Sequence, residues 1–165
     1  VGRGRRDPAA RATGAGRAMT DPDHGDWWAI TRVIAHYARF ADERRFTEMA
    51  GLFVPDGRML LFRPRSQHAS ETPQGHDALV AAFGALCTFE TTSHVLAPSL
   101  VEVDGDTATA FTRCMAHHIS QAPEGRVRFT LADRYEDDLV RTPDGWLFRE
   151  RRKYTDWTET APLRR

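Results

Sequence analysis

The first half of the chain repeats apolar residues at the three- and four-residue steps of a helix. From Asp26, a plausible N-cap, this repeat runs to Ala41 and predicts a first helix. A second, short amphipathic helix is predicted over Phe46–Phe53, and the Pro-Asp-Gly sequence at 55–57 is expected to stop the chain there. A strand at 58–62, an exposed loop at 63–75 and a third helix at 76–87 complete this half.

After Glu90 the pattern changes to segments rich in β-branched and aromatic residues. Four such segments, separated by short turns that contain aspartate, proline or glycine, span 94–103, 107–120, 126–141 and 146–157. Four long antiparallel strands are therefore predicted, the first of them bent at Pro98. Helices followed by a meander indicate an α+β fold, in which the helices cover one face of the sheet and leave a concave pocket.

Composition and charge narrow the class of protein. The chain has 165 residues and 41% hydrophobic residues, as expected for one domain. Residues 1–19 contain five arginines and one acid and have no apolar periodicity, so we expect a disordered head or upstream extension before a single domain at 20–165. Without this head the chain has 18 basic and 22 acidic residues, which gives no basic face for a nucleic acid.

Two further features bear on location. The longest apolar run has ten residues, whereas a membrane span needs roughly 20, so we expect no membrane partner. Two cysteines cannot form a disulfide framework and are typical of a reducing compartment. The predicted location is the cytoplasm.

A few polar residues could carry chemistry. Tyr37 and Asp42 lie five residues apart near the end of the first helix, roughly 140° apart around its axis, and each has a purely structural alternative as a core tyrosine or a solvated acid. His94 opens a strand, while His117 and His118 are adjacent, so only one of them can face the pocket. Phosphate loops, nucleophile elbows and metal-ligand spacings are not found, so no cofactor or metal is expected.

Six short motifs in order resemble the SnoaL-like branch of the nuclear transport factor 2-like superfamily, over about Asp26 to Trp157. They are His36–Asp42, Phe46 to Gly57, Thr91–His94, Val101–Ala108, Arg134–Asp137 and Gly145 to Arg151. The resemblance implies an α+β cone, in which a strongly curved, mostly antiparallel sheet with about three N-terminal helices encloses an apolar pocket. It also implies a homodimer, with a trimer as the alternative.

Within this superfamily the chain looks most like the dehydratase group, which includes scytalone dehydratase and bile-acid 7α-dehydratase. That likeness implies four catalytic residues, namely Tyr37, Asp42, His94 and His118. His118 would be a second histidine on the following strand, and its neighbour His117 is the alternative for that role. The residues expected to contact the substrate are Arg151 on the last strand and the apolar side chains Phe62, Phe83 and Leu96.

The expected function is acid–base chemistry without a cofactor on a hydrophobic hydroxy or keto compound such as a steroid, terpenoid or polyketide. His94, oriented by Asp42, would remove a proton next to a carbonyl, and Tyr37 would donate a hydrogen bond to the oxygen. The product would be that of a dehydratase or a double-bond isomerase. The alternatives are a polyketide-cyclase-like enzyme and a non-catalytic ligand-binding or assembly subunit of the same fold.

Overall fold

Helices come first along the chain and strands follow, as the change in hydrophobic period predicts. The computed structural model describes residues 24–163, so the predicted head at 1–19 lies outside the described residues. The helices are α1 (His24–Asp42), α2 (Phe46–Ala50) and α3 (His76–Phe83), and a short 3₁₀ helix (Gly84–Thr88) follows α3. The strands are β1 (Phe53–Phe62), β2 (Thr91–Leu96), β3 (Leu100–Asp104), β4 (Thr107–Ala122), β5 (Gly125–Thr142) and β6 (Gly145–Pro162). Within 24–163, no helix is long and apolar enough to cross a membrane.

The six strands form one curved sheet that does not close. Its order is β1-β6-β5-β4-β2, and β3 pairs with the first part of β4. All pairings are antiparallel except β1 with β6, which is parallel. The segment predicted as one bent strand is divided by Pro98 into β2 and β3, both of which pair with β4. The α+β cone implied by the sequence is confirmed.

The region around Pro55 departs from the prediction. The second helix ends at Ala50 rather than Phe53. The strand β1 begins at Phe53 and runs through 55–57, where a chain stop before a strand at 58–62 was predicted. The pairing of β1 with β6 shifts between Phe53 and Arg58, which is a β-bulge. A Cβ on Gly57 would lie 2.9 Å from the Cβ of Phe53, so only glycine allows the backbone to fold this tightly, and the strand bends where a chain stop was expected.

The faces of the sheet follow from its register. Residues directly opposite in an antiparallel pair share a face, so the pairs Ala108–Leu139 and Thr112–Tyr135 lie on the same side. Ala108 and Leu139 belong to the main core together with Ile34 of α1. We call this side, which α1 covers in part, the inner face, and the other side the outer face. His94, opposite Ala116 of β4, also lies on the inner face, beyond the main core.

Candidate active site

Asp42 and His94 form a hydrogen-bonded pair where the end of α1 meets β2. The Nδ1 atom of His94 lies 2.7 Å from Oδ1 of Asp42, and the backbone N–H of His94 donates to Oδ2 at 2.9 Å. The carboxylate therefore binds both the ring and the backbone of the same residue. In the neutral histidine, Nδ1 carries the proton that it donates to Asp42, so Nε2 keeps a free lone pair and can act as a base.

Two residues that the sequence analysis missed support this pair. Thr92 donates from Oγ1 to Oδ1 of Asp42 at 2.9 Å, and Arg44 donates to Thr92 Oγ1 at 2.6 Å and to the carbonyl of Ala41 at 2.8 Å. Arg44 has a φ of 60°, in the left-handed region, directly after α1 ends. Burial raises the pKa of Asp42, but the hydrogen bonds from His94 and Thr92 outweigh it and lower the pKa overall, so the carboxylate stays ionised.

His118 faces His94 across the inner face. It is opposite Thr92 in the register, and its ring centroid lies 5.7 Å from that of His94 and 4.4 Å from that of Phe89. Among residues 24–163, neither ring nitrogen of His118 has a hydrogen-bond partner. Burial, together with the charges on His94, Lys153 and Arg44, lowers its pKa to about 4, so the ring is neutral near pH 7.

The structure also separates the two adjacent histidines. His117 lies on the outer face, where its Nδ1 is 3.0 Å from Oγ1 of Thr130. Alternation along β4 therefore leaves His118, and not His117, beside the Asp42–His94 pair.

The structure does not bring Tyr37 to this pair. Its hydroxyl donates to Sδ of Met59 at 3.3 Å, and its ring packs edge-on against Phe83 and Phe148 in the core. Burial raises the pKa of Tyr37 well above its ordinary value, so the hydroxyl stays protonated. These contacts favour a packing role, and the catalytic role of Tyr37 stays a prediction.

Arg151 is enclosed in the core and paired with Asp137. Its side chain is 0% exposed, and two of its nitrogens donate to the carboxylate of Asp137 at 2.7 Å each. The guanidinium carbon also lies 4.1–4.4 Å from the ring centroids of Tyr37, Tyr135 and Phe148. These contacts favour a structural role in the core, and the substrate-binding role of Arg151 stays a prediction.

The three apolar residues predicted to contact the substrate lie in different places. Leu96 is half-buried on the inner face, two residues beyond His94 and opposite Cys114, where it can line the site. Phe83 is buried in the core, and Phe62 stacks on Tyr154 of the outer face with ring centroids 4.4 Å apart. Neither residue lies beside the Asp42–His94 pair: Phe83 packs in the core, and Phe62 lies on the opposite side of the sheet. Their contact with a substrate stays a prediction.

A third polar group on the inner face was also missed. Lys153 ends the basic run Arg149, Arg151, Arg152 and Lys153 of β6. Its Nζ lies 3.2 Å from Oδ2 of Asp133, which is buried and accepts a hydrogen bond from Thr155 at 2.6 Å. Alternation from Arg151 to Lys153 to Thr155 is visible in the sequence, but which alternate set faces inward is not.

The structure also describes a surface groove away from the Asp42–His94 pair. A groove of about 320 Å³ on the outer face has both charged and apolar walls, including Glu102, Glu136, Arg152 and Leu100. It lies on the side of the sheet away from His94, so we do not place the chemistry there. Within residues 24–163, histidine, cysteine and carboxylate side chains form no group of three or more that could hold a metal.

Comparison with known proteins places the chain in a family. The family model for the SnoaL-like domain matches residues 24–152. The chain belongs to the SnoaL-like domain family. An uncharacterized protein of Mycobacterium tuberculosis is 31% identical to this SnoaL-like chain over 117 residues, which cover 71% of this chain and 76% of the relative.

Solved structures show the same fold. A candidate scytalone dehydratase from Novosphingobium aromaticivorans has a TM-score of 0.67 and 24% identity and covers 83% of this SnoaL-like chain and 88% of its own. An NTF2-like protein from the same species has a TM-score of 0.63 and 27% identity over 79% of this chain and 82% of that one. A hexachlorocyclohexane dehydrochlorinase has a TM-score of 0.67 at 14% identity and covers 82% of this chain and 88% of its own. The resemblance to the NTF2-like superfamily is thus confirmed.

Proposed function

We propose that this SnoaL-like protein is an acid–base enzyme that removes a proton from carbon next to a carbonyl in a hydrophobic hydroxy or keto compound. The observation that carries the proposal is the double contact of Asp42 with the ring and the backbone of His94. It leaves Nε2 as the basic atom of a ring whose orientation is fixed. The names of the dehydratase and dehydrochlorinase structures support the proposal, because both describe eliminations.

In the proposed elimination, Nε2 of His94 takes the proton, and the electrons of the C–H bond become the new carbon–carbon double bond. The C–O bond on the neighbouring carbon breaks, and His94 passes the proton it has taken to the departing hydroxyl, which leaves as water. Asp42 stabilises the imidazolium that forms on His94, because its carboxylate is ionised and in direct contact with Nδ1. General acid–base catalysis of this kind contributes about 10²–10⁴-fold.

His118 is the proposed donor to the oxygen. It is neutral and buried, and within residues 24–163 neither ring nitrogen has a hydrogen-bond partner, so it holds an unpaired N–H beside His94. A preorganised donor of this kind is worth about 2.7–4 kcal/mol in the transition state. Dehydration and a double-bond shift share the first step and differ in whether the neighbouring carbon loses an oxygen. For the polyketide-cyclase-like enzyme and the non-catalytic binding subunit, the structure offers no specific observation comparable to the Asp42–His94 contact among the described residues.

The experiment follows the shared step. A panel of fused-ring ketones and β-hydroxy ketones is incubated with the protein in D₂O, and loss of the proton next to the carbonyl is followed by NMR. Asp42→Asn and His94→Gln should slow exchange by about 10²-fold or more, whereas His117→Gln on the outer face should not. Growth of enone absorbance then separates dehydration from isomerisation. Equal exchange rates in all folded variants, or no exchange above buffer for any compound of the panel, would count against the proposal.

A further inference from the structure

Lys153 stands out both in the composition and in the fold. It is the only lysine in a chain that has 23 lysine and arginine residues in total. On β6 it is opposite Tyr135, and its ion pair with Asp133 places its ammonium on the inner face. Its side chain is 18% exposed, whereas that of Arg151, two residues earlier on the same face, is fully enclosed. Of these two cations, Lys153 is the one that a ligand could reach.

The surroundings hold this ammonium in place without using all its donors. Asp133 is 2% exposed, and its Oδ1 accepts a hydrogen bond from Thr155 at 2.6 Å, so the carboxylate has a fixed orientation. Within residues 24–163, Asp133 is the one ion-pair partner of Nζ. The contact with Asp133 is an ion pair at 3.2 Å, and an ammonium has three N–H donors, so donors remain for other acceptors.

The ammonium of Lys153 and the rings of His94 and His118 all lie on the inner face of the sheet. Asp133, the ion-pair partner of Lys153, is opposite Cys114 of β4, and His118 lies four residues further along the same face of that strand. Between them along the inner face lie small or apolar side chains, namely Cys114, Ala116, Leu96 and Leu131. An apolar surface with a base at one side and an ammonium at the other fits a ligand that has an apolar body and an oxygen acceptor.

We propose that Lys153, held by Asp133, binds an oxygen of the ligand that carries or develops negative charge, while the apolar body of the ligand lies on the inner face beside His94. The proposal rests on the proposed function in taking this face as the substrate site. It deepens that function by requiring a carboxylate, or a carbonyl that becomes an enolate, at a defined end of the substrate. Lys153 then binds the oxygen, and His94 removes the proton.

Two fluorescent probes test this without a known substrate. The anionic probe is 8-anilinonaphthalene-1-sulfonate, and the neutral one is N-phenyl-1-naphthylamine, which has a similar apolar body. Lys153→Met should weaken binding of the anionic probe by tenfold or more and change that of the neutral probe by less than twofold. Lys153→Arg should restore most of the affinity for the anion. Arg152→Met, the neighbouring residue on the outer face, is the matched control and should change neither affinity.

A second measurement avoids substitution in case Lys153→Met does not fold. Reductive methylation with ¹³C-formaldehyde labels only Lys153 and the N-terminal amine, because the chain has no other lysine. The Lys153 signal should shift when the anionic probe is added and stay in place with the neutral probe. Equal affinities in wild type and Lys153→Met, equal losses for both probes, or an unmoved Lys153 signal would each overturn the inference. Because proton exchange is measured separately, an active protein that fails the probe test retains the proposed function and loses only the role of Lys153.

Discussion

Removal of one partner from the ion pair between Arg151 and Asp137 is expected to be one of the most destabilising polar substitutions in this fold. The side chains of both residues are 0% exposed, and two N–H groups of Arg151 donate to the two oxygens of Asp137 at 2.7 Å. Asp137→Asn keeps the shape of the side chain and removes its charge, so an arginine is left in the core without a counter-charge.

The size of the effect follows from this burial. Removing one partner of a buried pair costs about 3–5 kcal/mol, because the remaining charge cannot be solvated. For a chain of this length, each kcal/mol lowers Tm by roughly 3 °C, so Asp137→Asn should melt about 9–15 °C below wild type. The neighbouring Asp138 forms a salt bridge with Arg152 at 3.1 Å on the outer face. The side chain of Asp138 is 40% exposed and that of Arg152 is 29% exposed. Asp138→Asn should therefore cost no more than about 1 kcal/mol.

The assay is urea unfolding of the two variants and wild type, followed by tryptophan fluorescence and by circular dichroism. Similar small losses for Asp137→Asn and Asp138→Asn would refute the reasoning. A double variant, Arg151→Met with Asp137→Leu, should recover most of the lost stability, because it removes both charges and fills the space with apolar groups. Arg151 should also prove irrelevant to probe binding, in contrast to Lys153.

Three further predictions concern the site and its neighbours. Thr92→Val removes one hydrogen bond to Asp42, so it should raise the pKa of that carboxyl and slow proton exchange by about tenfold. Thr92→Ser keeps the hydroxyl and should do neither. NMR titration measures the pKa, and the exchange assay measures the rate. Tyr37→Phe loses the bond to Met59, so we expect a cost of about 1 kcal/mol in urea unfolding and an unchanged exchange rate; a large loss of exchange would restore the catalytic role. The pKa of His118 is about 4 in the fold, below its ordinary value, so the folded state binds fewer protons and stability falls as the pH drops from 6.5 towards 4. His118 contributes on the order of 2 kcal/mol to that fall between pH 7 and pH 4.5, so His118→Phe should lose that much less stability than wild type when urea unfolding is compared at the two pH values.

The local pattern was enough to predict the order of the elements. Apolar steps of three and four residues predicted α1, and β-branched segments between turns predicted the strands, because these periods reflect which side of an element meets the core. The pattern around Gly57 misled, since a turn sequence and a bulge sequence look the same until a neighbouring strand supplies hydrogen bonds. The resemblance added the cone and the residues Asp42 and His94, which the structure brings together.

The facing of each strand was decided only by the tertiary structure. Alternation shows that His117 and His118, or Arg151 and Arg152, point to opposite sides, but it does not show which side α1 covers. Contacts between residues far apart in the chain settle this, such as Arg44 with Thr92 and Lys153 with Asp133. How deeply a charged side chain lies beneath a curved sheet is likewise absent from the sequence. The resemblance placed Arg151 at the ligand, whereas the structure encloses Arg151 and leaves Lys153 as the more exposed of these two cations on the inner face.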